Sequence, residues 1–203
     1  MAKSMIYLAR HGEIDLGGKK RLVGQVDLPL SEKGRQQARL LKQALTPPPF
    51  DRIYCSDLIR SLETARSIAS PEEETFQVLP HLREINLGVW DGLEVAEIRE
   101  HFPDEWEKRE QDVIRYTPPG GESFVTLADR VRPVFEGIVE KGEARVLIVG
   151  HAGVNRVILT QVLGMPLTHL FRLQQDYGSF TLMAHKNGEW RLLALNIQPE
   201  GAA

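Results

Sequence analysis

Two apolar runs in this chain each end by delivering a histidine beside glycine: Ile6-Tyr7-Leu8-Ala9-Arg10-His11-Gly12-Glu13, and far downstream Val146-Leu147-Ile148-Val149-Gly150-His151-Ala152-Gly153. Two such junctions read as halves of one site. A third segment, Ser56-Asp57-Leu58-Ile59-Arg60, places a cation in the first turn of a helix. The helix dipole disfavours a cation there by about a few tenths of a kcal/mol. Arg60 also lies off the apolar stripe of Leu58, Leu62 and Ala65, so a visiting anion would explain it. Arg10, Arg60, His11 and His151 gathered around one point would form a positive hole that phosphate fits, because guanidinium meets phosphate oxygens in pairs. Nearby cations push an imidazole toward its neutral form, and neutral His11 within in-line reach of phosphorus is a nucleophile. Gly12 on its flank would let the phosphate come close to the backbone. The reaction also needs an acid for the leaving oxygen. Glu84, in Leu82-Arg83-Glu84-Ile85-Asn86-Leu87-Gly88-Val89-Trp90, is the candidate, its plain alternative being a surface glutamate paired with Arg83. Glu13 and Asp57 read as supporting or capping residues.

The elements that must carry these groups follow from pattern. Met5–Ala9 reads as a buried strand, and residues 12–30 as a long loop containing Lys19-Lys20-Arg21. Ser31 reads as the cap of a helix with Ala38, Leu41 and Leu45 on one face, stopped by Pro47-Pro48-Pro49. A strand at Asp51–Cys55 leads to a helix capped by Ser56-Asp57, and Phe76–Leu79 is a third strand. Residues 81–119 read as an insertion packed over one end of the sheet. A long helix carries Phe124, Leu127, Val131, Phe135 and Ile138, with Pro133 bending it or marking a boundary. Arg145–Val149 is the central strand and Val154–Leu163 a helix. Ser179–Ala184 and Trp190–Leu195 form a hairpin through Lys186-Asn187-Gly188. Alternating strands and helices predict one α/β domain over 1–203: three layers, α/β/α, around a mainly parallel central sheet. Ligands of such sheets bind beyond the carboxyl ends of the strands, where His11 and His151 fall.

Composition narrows the partners. A formal charge of -3 lacks the basic excess of a nucleic-acid surface. No apolar run reaches the ~20 residues of a membrane span, and no secretory leader is evident. One cysteine, Cys55, allows no internal disulfide and fits a cytoplasmic setting. A homodimer is left open.

The order of motifs resembles the histidine phosphatase superfamily, whose members include cofactor-dependent phosphoglycerate mutases, fructose-bisphosphatases and α-ribazole phosphatase. The likeness spans nearly the whole chain. It runs through Arg10-His11-Gly12-Glu13, the segment from Gly24 to Gly34, Tyr54-Cys55-Ser56-Asp57-Leu58-Ile59-Arg60, Arg83-Glu84, Pro118-Pro119-Gly120-Gly121-Glu122-Ser123 and Gly150-His151-Ala152-Gly153. It implies a phosphoglycerate mutase-like fold and a phosphomonoester hydrolase acting through phosphohistidine. His11 would accept the phosphate, Arg10, Arg60 and His151 would form its pocket, and Glu84 would serve as acid and base, with no metal or cofactor. Gly17 stands where relatives often carry a phosphate-contacting Asn, so Gly24 and Gln25 are the substitute donors. Leu87 stands where mutases carry Tyr, which favours hydrolysis over mutase chemistry. The Pro-Pro-Gly-Gly-Glu-Ser stretch and residues 171–178 look like α-ribazole phosphatases and broad-specificity relatives.

Other readings are weaker. Only four residues separate Cys55 from Arg60, one short of a tyrosine-phosphatase loop. Gly121-Glu122-Ser123-Phe124-Val125 lacks the last glycine of a serine-hydrolase elbow, and no Walker A or zinc motif occurs. His81, His101, His169 and His185 read as surface or packing residues. Trp90, Trp106 and Tyr116 could line a substrate mouth. Two alternatives stay open: a phosphoglycerate mutase, and a non-catalytic module that binds a phosphorylated ligand.

Overall fold

In the computed structural model, which describes residues 4–45, 48–69 and 76–201, β1 (Ser4–Arg10) lies at the centre of the sheet. It pairs in parallel with β4 (Arg145–Gly150), which pairs in parallel with β2 (Arg52–Cys55), itself parallel to β3 (Phe76–Val78). On its other side β1 is antiparallel to β5 (Phe180–Lys186), followed by the edge strand β6 (Glu189–Ile197). The hairpin turns at Asn187 and Gly188, both at positive φ, as a right-twisted hairpin requires.

Strand side chains alternate between faces, and the core splits accordingly. Ile6, Leu8, Val146 and Ile148 pack with α5 (Phe124–Glu140) and α6 (Ala152–Val162). Ala9, Ile53, Leu147 and Val149 pack with α1 (Glu32–Leu45) and α2 (Ile59–Ile68). Ala38, Leu41 and Leu45 form the buried stripe of α1, and Ser31 Oγ accepts from Gly34 N–H at 3.0 Å as its cap. Pro47 lies outside the described residues. Pro133 sits inside α5, which runs through it without a boundary.

The cap of α2 differs from expectation. Neither Ser56 nor Asp57 holds it; Ile59 N–H donates to Asp27 Oδ1 at 2.7 Å, a residue of the long loop. Asp57 instead binds Arg83, at 2.7 and 2.5 Å. Residues 81–119 contain α3 (Val95–His101) and α4 (Pro103–Gln111). Their junction with the loop is a short antiparallel pairing: Leu22 N–H to Leu93 O, Gly92 N–H to Leu22 O and Val95 N–H to Lys20 O. Lys19 and Arg21 both reach Glu94, at 2.6 and 3.3 Å.

Candidate active site

The register of β1 on β4 sets the centre. Arg10 is opposite Gly150, so the next residue of each strand is a histidine, and His11 N–H donates to Gly150 O at 3.2 Å. The two rings stand 5.0 Å apart between centroids. Both are buried, at 4% and 0% exposure.

His11 Nδ1 lies 2.7 Å from Gly12 O. A carbonyl only accepts, so Nδ1 carries the proton and neutral His11 keeps its lone pair on Nε2. Burial holds this imidazole well below its ordinary 6.5, reinforced by the Arg10 and Arg60 charges. Burial, rather than the neighbouring cations expected from sequence, is the larger cause. His151 Nε2 meets Ser56 Oγ at 2.7 Å, while its Nδ1 is buried with no hydrogen-bond partner among the described residues. Burial, then the His11, Arg60 and Arg10 charges, keep it low as well.

Arg60, 1% exposed at the start of α2, donates Nη1–H to Val26 O at 2.8 Å and Nη2–H to Gly24 O at 2.5 Å. Those carbonyls offset the unfavourable dipole. Arg10 donates to Gln175 O at 2.7 Å and lies 3.6 Å above the Tyr177 ring. Glu84 is buried and has no ion pair with Arg83. Its Oε1 accepts from Ile85 N–H at 2.9 Å and its Oε2 from Gly153 N–H, in the first turn of α6, at 3.0 Å. Each oxygen retains a second lone pair for a proton.

Arg10, His11, Arg60, Glu84 and Gly153 open into one cavity of about 260 Å³. Just over half of its wall is apolar, with Leu16, Leu22, Leu87, Trp90, Tyr116 and Phe171 contributing. Trp106 packs behind Trp90 with its ring tilted, 6.0 Å between centroids, and stays off the wall. Arg21, Arg109 and Arg156 also face the cavity, and Arg21 is paired to Glu94 as described.

Two expectations change, those for Gly24 and Gln25 and for Gly12. Gly24 and Gln25 do not line the cavity; their N–H groups donate to Asp91 at 2.8 and 2.6 Å, and Gln25 Nε2 donates to Glu84 O at 3.1 Å. Gly12 is constrained by α1, since a Cβ there would strike the Gly34 carbonyl; room for phosphate is not its evident demand. Cys55 lies in the core as its strand position implies, its thiol pushed by burial up to about 12. Sequence reasoning missed Tyr177, Gln175, Arg156 and Asp91. Only Tyr177 left a signal, an aromatic in the motif-like stretch 171–178.

Residues 6–198 match the model of the histidine phosphatase superfamily (branch 1), and the chain belongs to that family. It is a hydrolytic enzyme of the phosphatase class. Phosphoserine phosphatase 1 of Hydrogenobacter thermophilus is 30% identical over 195 residues, 95% of this chain and 92% of that protein. The adenosylcobalamin/alpha-ribazole phosphatase of Salmonella typhimurium is 28% identical over 192 residues, 94% and 95% of the two chains. Among solved structures, the alpha-ribazole phosphatase from Shigella flexneri superposes with a TM-score of 0.91 at 26% identity, over 97% and 98% of the chains. Among the described residues no helix is long and apolar enough to cross a membrane.

Proposed function

We propose a two-step phosphomonoester hydrolysis through phosphohistidine. His11 Nε2 attacks phosphorus in line, the bond to the leaving oxygen breaks, and Glu84 gives that oxygen its proton. Arg10 and Arg60 carry the charge on the remaining oxygens, to which neutral His151, set behind the cavity wall, would offer a hydrogen bond from Nδ1–H, unpartnered among the described residues. Water then attacks phosphorus, Glu84 takes its proton, and His11 is released with free phosphate. One observation carries this reading: the hydrogen bond from His11 Nδ1 to Gly12 O, which leaves Nε2 unprotonated beside two guanidiniums. Phosphate release from a panel of α-ribazole phosphate, phosphoserine, phosphoglycerates, fructose bisphosphates and nucleotides tests it. The apolar and aromatic part of the wall supports a small phosphomonoester with an apolar or ring-bearing leaving group, α-ribazole 5'-phosphate first. Residues 81–119 act as the cap over that group, within a single domain. A cytoplasmic setting is supported by the lone Cys55, and sedimentation velocity tests a homodimer.

A second reading, a phosphoglycerate mutase, is favoured by Arg109 and Arg156. Both line the cavity, and neither has a carboxylate oxygen within 4.0 Å among the described residues. Such cations could hold a second anionic group. Isomerisation of a phosphoglycerate with little free phosphate would select it.

A further inference from the structure

Asp91 gathers three consecutive backbone N–H groups on one carboxylate. Gly24 donates to Oδ1 at 2.8 Å, while Gln25 and Val26 donate to Oδ2 at 2.6 and 3.0 Å. A carboxylate offers about four lone-pair sites, so three of them are taken by this one turn. The peptide joining Gly24 to Gln25 is the informative one. Its N–H points at Asp91; in a trans peptide the carbonyl of the same plane points the opposite way. That carbonyl, Gly24 O, is the oxygen that accepts from Arg60 Nη2 at 2.5 Å. Val26 O, from the same turn, accepts from Nη1. One rigid plane therefore has an anion at one end and the phosphate-pocket guanidinium at the other.

We infer that Asp91 is a positioning residue: by fixing the 24–26 turn it aims the Gly24 and Val26 carbonyls at Arg60 and so sets the guanidinium of the phosphate pocket. The inference rests on the reading of Arg60 as a phosphate-pocket residue. Arg60 needs such a holder, because it is buried at a helix start that disfavours cations. A carboxylate at the far end also polarises the peptide, strengthening its carbonyl as an acceptor. The same carboxylate ties the loop to the segment that follows Trp90, adding to the pairing of residues 20–22 with 92–95.

Asp91→Asn keeps the shape but leaves one good acceptor oxygen. The experiment is a double-mutant cycle with Arg60→Ala, read as orthovanadate affinity and as kcat and KM for p-nitrophenyl phosphate. In the natural background Asp91→Asn should weaken vanadate binding and kcat/KM about 10- to 100-fold, the scale of hydrogen bonds made to a charged group. In the Arg60→Ala background it should cost no more than about twofold, the scatter of independent sites. An equal penalty in both backgrounds would overturn the inference. The vanadate arm reads the same coupling in a chain without turnover, so failure of the hydrolase reading, vanadate bound with no phosphate released, stays distinct. Should either variant fail to fold, amide exchange in the natural chain decides. Slow exchange at Gly24, Gln25 and Val26 N–H and at the Arg60 guanidinium supports the arrangement; fast exchange at these three amides overturns it.

Discussion

Glu84 and Gly153 are 69 positions apart, yet Gly153 N–H donates to Glu84 Oε2 at 3.0 Å at the start of α6. The same α6 terminus begins one residue after His151. A Cβ on Gly153 would strike the other carboxylate oxygen, Oε1. Acid and phosphate pocket are thus held in register by one turn of backbone.

Gly153→Ala should displace Glu84 while leaving the histidines and arginines in place. A displacement of about 1 Å at a reacting group can cost about 100-fold. We expect kcat for alkyl phosphates to fall by about that much with orthovanadate affinity within a few-fold. Steady-state kinetics beside vanadate inhibition measures both; an equal loss in each would place the damage in the phosphate pocket instead.

Glu84→Gln keeps the acceptor oxygen but cannot give a proton. Hydrolysis of alkyl phosphates should drop about 100- to 10,000-fold, the range of general acid catalysis. p-Nitrophenyl phosphate, whose leaving group needs little protonation, should lose much less. Equal losses on both substrates would reassign the residue.

Gly12→Ala tests packing. The new methyl would meet the Gly34 carbonyl, and backbone on both sides leaves little room to relax. Overpacking of this kind costs about 1–3 kcal/mol. A lower thermal midpoint is expected in calorimetry. An unchanged midpoint would show that the Gly12–Gly34 approach is not tight.

The buried histidines give stability a pH dependence. Their native values lie below the ordinary 6.5, so on acidification the unfolded chain binds protons before the native one. Stability is therefore complete above about pH 6.5 and declines as pH falls below it. The slope is at most about 1.4 kcal/mol per pH unit for each histidine. His11→Gln should flatten part of that decline in denaturant titrations; an unchanged slope would mean that His11 is not depressed.

The strands and the two histidine junctions were legible because they rest on periodicity: Ile6 and Leu8 face one helical layer, Ala9 the other, and His11 follows at the strand end. Arg60 was legible as a local contradiction, a cation at a helix start. What stayed hidden are bonds from a side chain to remote backbone. Asp27 caps α2 from 32 positions away, and Asp91 holds residues 24–26 from 65 to 67 away. Such bonds depend on where two irregular segments meet and leave no pattern in either. Gly12 was misread for a related reason, since its neighbour Gly34 belongs to another element. The alternative for Glu84, a surface pairing with Arg83, rested on adjacency alone; successive side chains in extended backbone point apart, and Arg83 binds Asp57 instead.

The central claim is that phosphate passes through His11 Nε2, and rapid quenching of turnover at alkaline pH followed by peptide mass spectrometry tests it most directly. Phosphate should appear on His11 during turnover, be absent from His11→Ala, and accompany a loss of turnover of at least about 1,000-fold in that variant. Steady phosphate release with no phosphorylated His11, or with the group on another residue, would contradict it.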